Sequence, residues 1–265
     1  MADKKKVLIV TQEMKPYTTV SELSSLVNRY AQLLQEKNME IRILMPKFGT
    51  INERRHRLHE VVRLSGMNIT IDDDDYPLII KVASLPSTRM QVYFLDNDDF
   101  FKRKQMFANK EGKLFEDNVE RTVFFNKGVI ETVKKFGWAP DIVHAHGWML
   151  SLLPAMLQTT YANEPIFQDS KVVYTASDAT DINASFDATF ADKMKANGLE
   201  SILEHYVKDG KVQLNTGAAA YSAGVLLPSE DTPIESIEKS NLSFEDDFTE
   251  TCLAFYQTLS PAEAE

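Results

Sequence analysis

The chain has 265 residues, enough to bury a sizeable core as one large domain or two small ones. A hydrophobic fraction of 43% with 26% charged residues is that of a soluble globular protein, and a formal charge of −10 argues against nucleic acid or an anionic membrane as partner. One cysteine, Cys252, rules out an internal disulfide and a cysteine-based zinc site, and no run is long enough to cross a bilayer.

Val7 to Val10 is a short continuous apolar run, the pattern of a strand covered on both faces. The start MADKKKVLIV leads straight into that strand and does not read as a signal peptide, so the expected location is cytoplasmic. Leu23, Leu26, Val27, Tyr30, Leu33 and Leu34 then recur at helical spacing, and Ile41 to Met45 reads as a second strand. Strand, helix, strand predicts a right-handed parallel crossover opening a doubly wound, mostly parallel α/β sheet of Rossmann-like type. Such sheets bind ligands beyond the carboxyl ends of their strands, which makes the loop Thr11 to Ser21 the expected seat of function.

Residues 52–63 (NERRHRLHEVVR) form a charged helix or loop. His56 and His59 stand three apart, a spacing a metal can use, but flanking arginines and the want of a third ligand favour a solvated face. Met67 to Ile71 and Leu78 to Val82 read as strands around the tract Asp72 to Pro77. Its four aspartates lack the alternation and the glycine of a calcium loop, so a solvated hairpin tip is expected. Val92 to Leu95 is a further strand, and Asp117 is placed to N-cap a helix from Asn118 to Phe136 that buries Val123, Phe124, Val129, Ile130 and Val133. Leu199 to Tyr206 has helical character. Residues 230–242 form a polar linker, and residues 243–260 an amphipathic helix with Ser243 as N-cap, acidic residues in its first turn and a stripe of Phe248, Cys252, Phe255, Tyr256 and Leu259.

The run VLIVTQEMKPYTTVSELSSLV, continued by LLQEKNMEIRILMPKFG, resembles the amino terminus of bacterial glycogen synthases and plant starch synthases. That resemblance implies a retaining glucosyltransferase of two-domain GT-B architecture that takes a nucleotide sugar, normally ADP-glucose, with no cofactor and no essential metal. The family pattern is strand, Ser-Ser-Glu, a Pro-Phe pair and Lys-Thr-Gly-Gly-Leu. Glu13, Pro16, Tyr17 and Leu23 match or nearly match it, whereas the Lys falls on Thr19 and the two Gly on Ser21 and Glu22. In the family that Lys and Gly-Gly turn lie against the donor's phosphates, where a cation and bare backbone are needed. Here a hydroxyl and a carboxylate stand there instead.

PDIVHAHGWM, residues 140–149, resembles the family's Pro-Asp-Ile-Val-His-Ala-His-Asp-Trp-His. His146 takes the position whose imidazole faces the donor sugar, which makes it the candidate catalytic residue; read alone, a His at a strand end is more often packed or capping. Trp148 offers a ring for sugar recognition and reads equally well as core. The resemblance implies a strand ending in a loop and helix over residues 140–149, a strand in Lys171 to Asp178, and the run into the final strand of the half-fold at Gly224 to Ser229. The family's Thr-Ile-His-Asn falls on Thr175, Ala176, Ser177 and Asp178, so Ser177 and Asp178 join Glu13, Tyr17, Thr19, Ser21, Glu22 and Trp148 as the expected cleft. The resemblance runs from Val7 to about Ser229, so residues 1–229 are expected to be the amino-terminal half of a GT-B fold, and none of the second domain's phosphate-binding blocks follows. The expectation is a glycogen synthase-like protein, non-catalytic alone, that binds α-glucan (glycogen) or a protein partner. One alternative is a glucosyltransferase subunit completed by a separate chain, and another is a structural module with an empty cleft.

Overall fold

A computed structural model of the protein describes residues 4–227, 241–243 and 248–259. The apolar run at the start forms β1 (Lys6–Thr11), with Val7, Leu8, Ile9 and Val10 all fully buried. Helix α1 (Leu23–Glu36) follows, burying Leu23, Val27, Tyr30, Ala31 and Leu34 while Leu26 and Leu33 sit half-exposed at the stripe's margin. It feeds β2 (Glu40–Pro46), parallel to β1 with Val7 opposite Ile41. A one-turn helix α2 (Glu53–His56) and a two-residue strand β3 (His59–Glu60) precede the hairpin of β4 (Met67–Ile71) and β5 (Asp74–Ser84). Next come β6 (Gln91–Asp96), the one-turn helix α3 (Asp98–Phe101) and the long helix α4 (Asn118–Phe136).

Helix α4 carries the chain to β7 (Ile142–His146), and α5 (Leu152–Gln158) carries it on to β8 (Lys171–Thr175). Helices α6 (Thr180–Phe186), α7 (Phe190–Ala196) and α8 (Leu203–Tyr206) follow, then a small antiparallel ribbon of β9 (Val207–Lys208) and β10 (Lys211–Val212). The helix expected from Leu199 is divided, a 3₁₀ turn over Glu200–Ile202 preceding α8. Helix α9 (Leu214–Ala220) leads into β11 (Gly224–Leu227), and the described chain ends with β12 (Asn241–Ser243) and α10 (Phe248–Thr258).

The sheet runs β12, β11, β8, β7, β1, β2, β6, β5, β3, with β4 paired to β5 off that path. All pairs from β12 to β6 are parallel, and β5 runs antiparallel to β6. The chain therefore winds outward from β1 through β2 and β6, then returns across α4 to build the other half from β7. Lys6 N–H donates to Asp141 Oδ2 at 2.6 Å, anchoring the register that sets Val7 opposite Ile142 and Thr11 opposite His146. Right-handed crossovers in opposite directions put α1 and α4 on opposite faces. The order reverses between β1 and β7, and a crevice opens at the carboxyl ends of strands at such a point.

Three expectations change. Asp117 stands at the N-cap position of α4 without capping it, because its carboxylate is held by Arg103 through two bonds of 2.7 and 2.6 Å. The acidic hairpin tip shrinks to Asp72 and Asp73, since β5 starts at Asp74, and it is not simply solvated. Asp72 receives Lys193 Nζ at 2.7 Å and Asn197 Nδ2 at 2.9 Å, so the tip docks on α7. Finally, Asn241 to Ser243, assigned to the linker and the helix N-cap, form β12 parallel to β11; the described helix spans Phe248–Thr258, and residues 244–247 and 260 of the expected helix lie outside the described residues. An open strand edge gains ladder hydrogen bonds from such pairing. The rest of the expected linker, residues 230–240, lies outside the described residues. Helix α10 buries Cys252, Leu253, Phe255 and Tyr256. The ring of Phe255 lies on Gly224 of β11, where any Cβ would overlap it.

Candidate functional site

Three strand ends converge at the reversal point. β1 ends at Thr11 and the chain runs on through Gln12 and Glu13; β7 ends at His146 and is followed by Gly147; β8 ends at Thr175 and runs on through Ser177. Gly147 holds φ +94°, and a Cβ there would meet the Gln12 side chain at 2.5 Å. That close approach lets Gln12 Oε1 accept the Met149 N–H at 3.0 Å, tying the two strand ends together. Across the crevice Ser177 Oγ accepts the Trp148 N–H at 2.9 Å.

Glu13 organises the loop between β1 and α1. Its side chain is 1% exposed, and its carboxylate accepts the Val20 N–H at 3.1 Å, the Ser21 N–H at 2.8 Å and the Ser21 hydroxyl at 2.7 Å. An internal carboxylate thus takes the amides of residues 20 and 21, just ahead of the start of α1 at Leu23. Thr19, Ser21 and Glu22 are exposed, with Glu22 at the N-cap of α1 making no side-chain cap bond. Between Lys15 and Arg29 the chain carries no basic residue.

The aromatic rings of the expected cleft are buried. Tyr17 is 6% exposed, packs edge-on against Phe94 and His56 and donates its hydroxyl to Ser84 O at 3.2 Å; burial pushes its phenol up to about 12. Trp148 is buried between Phe107 and Phe186. Both rings pack into the core. Asp178 is exposed, and its carboxylate accepts the Thr180 N–H at 3.0 Å and hydroxyl at 2.9 Å, bonds that hold its pKa below the usual carboxylate value.

His146 is fully enclosed. Its ring stacks on His144 with centroids 3.8 Å apart and meets Tyr30 edge-on, and neither ring nitrogen has a partner among the described residues. Burial lowers its pKa to about 3. His144, also fully buried, is hydrogen-bonded through Nε2 to Thr175 Oγ1 at 2.8 Å and through Nδ1 to Tyr256 Oη at 2.6 Å and Tyr30 Oη at 3.2 Å. Helices α1 and α10 thus cover the face to which both imidazoles turn, and His146 does not look into an open crevice.

Open space lies beside β8 instead. A groove of about 430 Å³ runs between α6 and the start of α9, lined by Thr180, Asn183, Asp187, Gln213, Asn215 and Thr216 among others. Asn215 joins it to the crevice by donating to Ser177 O at 2.9 Å while accepting the Tyr174 hydroxyl at 2.8 Å. Gln12, Asn215 and this groove were not among the expected site residues. Gln12 follows directly on β1, which is a usable signal; nothing in the spacing around Asn183 or Asn215 distinguishes them from surface polar residues.

The sequence matches the family model described as the starch synthase catalytic domain over residues 6–241. It is 44% identical over 171 residues to the glycogen synthase of Chlorobium limicola, a match covering 64% of this chain and 35% of that one. The glycogen synthase of Chlorobaculum tepidum is 42% identical over 171 residues, with the same coverage of 64% and 35%. The chain thus spans about 35% of the length of these relatives. Among solved structures, the catalytic domain of starch synthase IV from Arabidopsis thaliana, bound to ADP and acarbose, superposes with a TM-score of 0.71 at 20% identity. That superposition covers 86% of this chain and 45% of the other, and it shows the fold they share.

Proposed function

The chain belongs to the starch synthase catalytic domain family, matched over residues 6–241, and on that footing we propose that it binds α-glucan at the carboxyl edge of its sheet without itself transferring glucose. Glucosyl transfer from a nucleotide sugar needs a neutralised diphosphate leaving group, and loss of one well-placed donor costs about a hundredfold or more in rate. The observation that carries the reading is the state of the β1–α1 loop. Its Val20 and Ser21 amides are taken by Glu13, and Thr19 stands where the resemblance places the phosphate-binding lysine. At the position of the phosphate-binding lysine a diphosphate would meet the Thr19 hydroxyl and, beside it, the exposed Glu22 carboxylate, which repels it; Lys15, the one cation of the loop, lies four residues earlier. The seclusion of His146 supports the same conclusion, since an imidazole with no path to solvent cannot meet a sugar. The groove beside β8 supports the binding half. Its hydroxyl and amide side chains suit sugar hydroxyls, which both donate and accept.

Incubation of the pure chain with ADP-glucose and glycogen is expected to give no glucose incorporation, and affinity electrophoresis through glycogen is expected to retard it. Incorporation by the pure chain would overturn the first half; unretarded migration would overturn the second. Loss of retardation in Asn183→Ala/Gln213→Ala would place glucan in the groove beside β8. Incorporation that appears only when a second protein is added would favour a transferase whose cleft is completed by another chain.

A further inference from the structure

At the far end of the sheet from β12, residues 53–63 form a surface that the glucan reading leaves unused. Arg54, Arg55 and Arg57 are exposed on the single turn of α2 and its C-cap, where Arg57 adopts φ 54°. Arg63 is exposed just past β3, close enough to Arg42 to oppose its charge. Among the described residues, none of these four guanidinium groups has an ion-pair or hydrogen-bond partner. Of the two acids in the stretch, Glu53 turns its carboxylate to Lys47 at 2.7 Å and Lys81 at 2.9 Å, which leaves exposed Glu60 of β3 as the one carboxylate set against the four arginines. His56 points the other way, onto Tyr17, and both burial and Arg55 lower its pKa, so it adds no charge near neutrality. Val62, 79% exposed, lies within the same stretch, next to the edge strand β3. Four arginines without an ion-pair partner among the described residues thus stand within ten positions, on α2, its C-cap and just past the edge strand β3, in a chain whose formal charge is −10.

We infer that this edge is a docking surface for an acidic polypeptide segment carrying an apolar residue. Guanidinium groups pair with carboxylates in bidentate fashion and shed their hydration more readily than lysine, which makes them the cations of choice at interfaces. Charge complementarity selects an anionic partner, and Val62 selects one with an apolar side chain to set against it. A nucleic acid presents phosphates only, and as an extended polyanion it must also approach the remaining acidic surface. A short peptide needs only the local field, which decays over about 8–10 Å at ordinary ionic strength.

Fluorescence anisotropy with a labelled oligoglutamate peptide bearing a central leucine tests this on the full chain. Saturable binding that weakens with salt is expected, and Arg54→Ser/Arg55→Ser/Arg57→Ser should weaken it by at least about tenfold while leaving retardation on glycogen gels unchanged. Val62→Asp should weaken it as well. Peptide binding that the triple variant leaves intact, or no binding by the parent chain, would overturn the proposal. So would a single-stranded oligonucleotide that binds as tightly as the peptide and is lost in the same variant, since the surface would then be a general polyanion site.

Discussion

Two stacked, buried imidazoles make His144 and His146 sensitive to acid. Unfolded, each takes up a proton near 6.5; folded, His146 resists until about 3 and His144 is held well below 6.5 by burial and by His146. The unfolded state therefore binds more protons as pH falls from 6.5 toward 3, and stability falls with it, by up to about 1.4 kcal/mol per pH unit for each imidazole. Above 6.5 this contribution is flat. Denaturant titrations across that window should show a shallower acid limb for His146→Phe, which keeps a ring against His144 but cannot titrate; an unchanged limb would mean that His146 is not held neutral. Gly147 gives a second test. Its φ of +94° and the 2.5 Å approach of Gln12 leave no room for a methyl group, so Gly147→Ala should cost about 2 kcal/mol or more in chemical denaturation. At the loop, Thr19→Lys/Ser21→Gly/Glu22→Gly should gain ADP binding by calorimetry, through one added cation and one removed carboxylate; no gain would count against the electrostatic account of the phosphate site. The departures at Thr19, Ser21 and Glu22 were legible in the sequence because charge and side-chain bulk are properties of residue type. The burial of Tyr17, Trp148 and His146 was not, since an aromatic or imidazole ring at a strand end can turn either way and only its tertiary neighbours decide.

The elements β1, α1 and α4 follow from period and length, because each presents an unbroken apolar run or a helical stripe; β2 is legible despite Arg42, and β7, with two histidines in five residues, was read through the family resemblance. The polar joints do not follow in this way. Asp117 reads as a cap by residue type but is captured by Arg103, which lies fourteen positions earlier. Asn241 to Ser243 read as linker because three residues are too few to show a period, yet they pair in parallel with β11. Helix α10 is fastened in two ways. Phe255 rests on Gly224, and the Tyr256 hydroxyl meets His144 and Tyr30. Tyr256→Phe should lower stability by about 1–3 kcal/mol, since it leaves buried His144 with one partner fewer. Gly224→Val should displace the Phe255 ring and expose the helix, and amide hydrogen exchange over residues 248–258 should rise in that variant while exchange in β1 stays slow.

At the scale of the whole molecule, the sheet is built outward from its own first strand, and the reversal between β1 and β7 places the crevice. That much was foreseeable from one strand–helix–strand unit. Which faces of the crevice remain open was not, because α10 returns from the end of the described chain to cover the side toward which the imidazoles turn. The same topology bears on biosynthesis. Lys6 waits for Asp141, 135 positions downstream, before the first strand has both neighbours. At about 5–20 residues per second, a ribosome takes roughly ten seconds to supply that partner. Throughout this interval one flank of a strand with the apolar run Val7 to Val10 stands bare, an invitation to chaperones or to self-association. Translation intermediates stalled before Ile142 should accordingly be digested rapidly by protease, and those stalled with Leu227 clear of the exit tunnel should resist. The emerging polypeptide has to be escorted across a gap that its own architecture imposes.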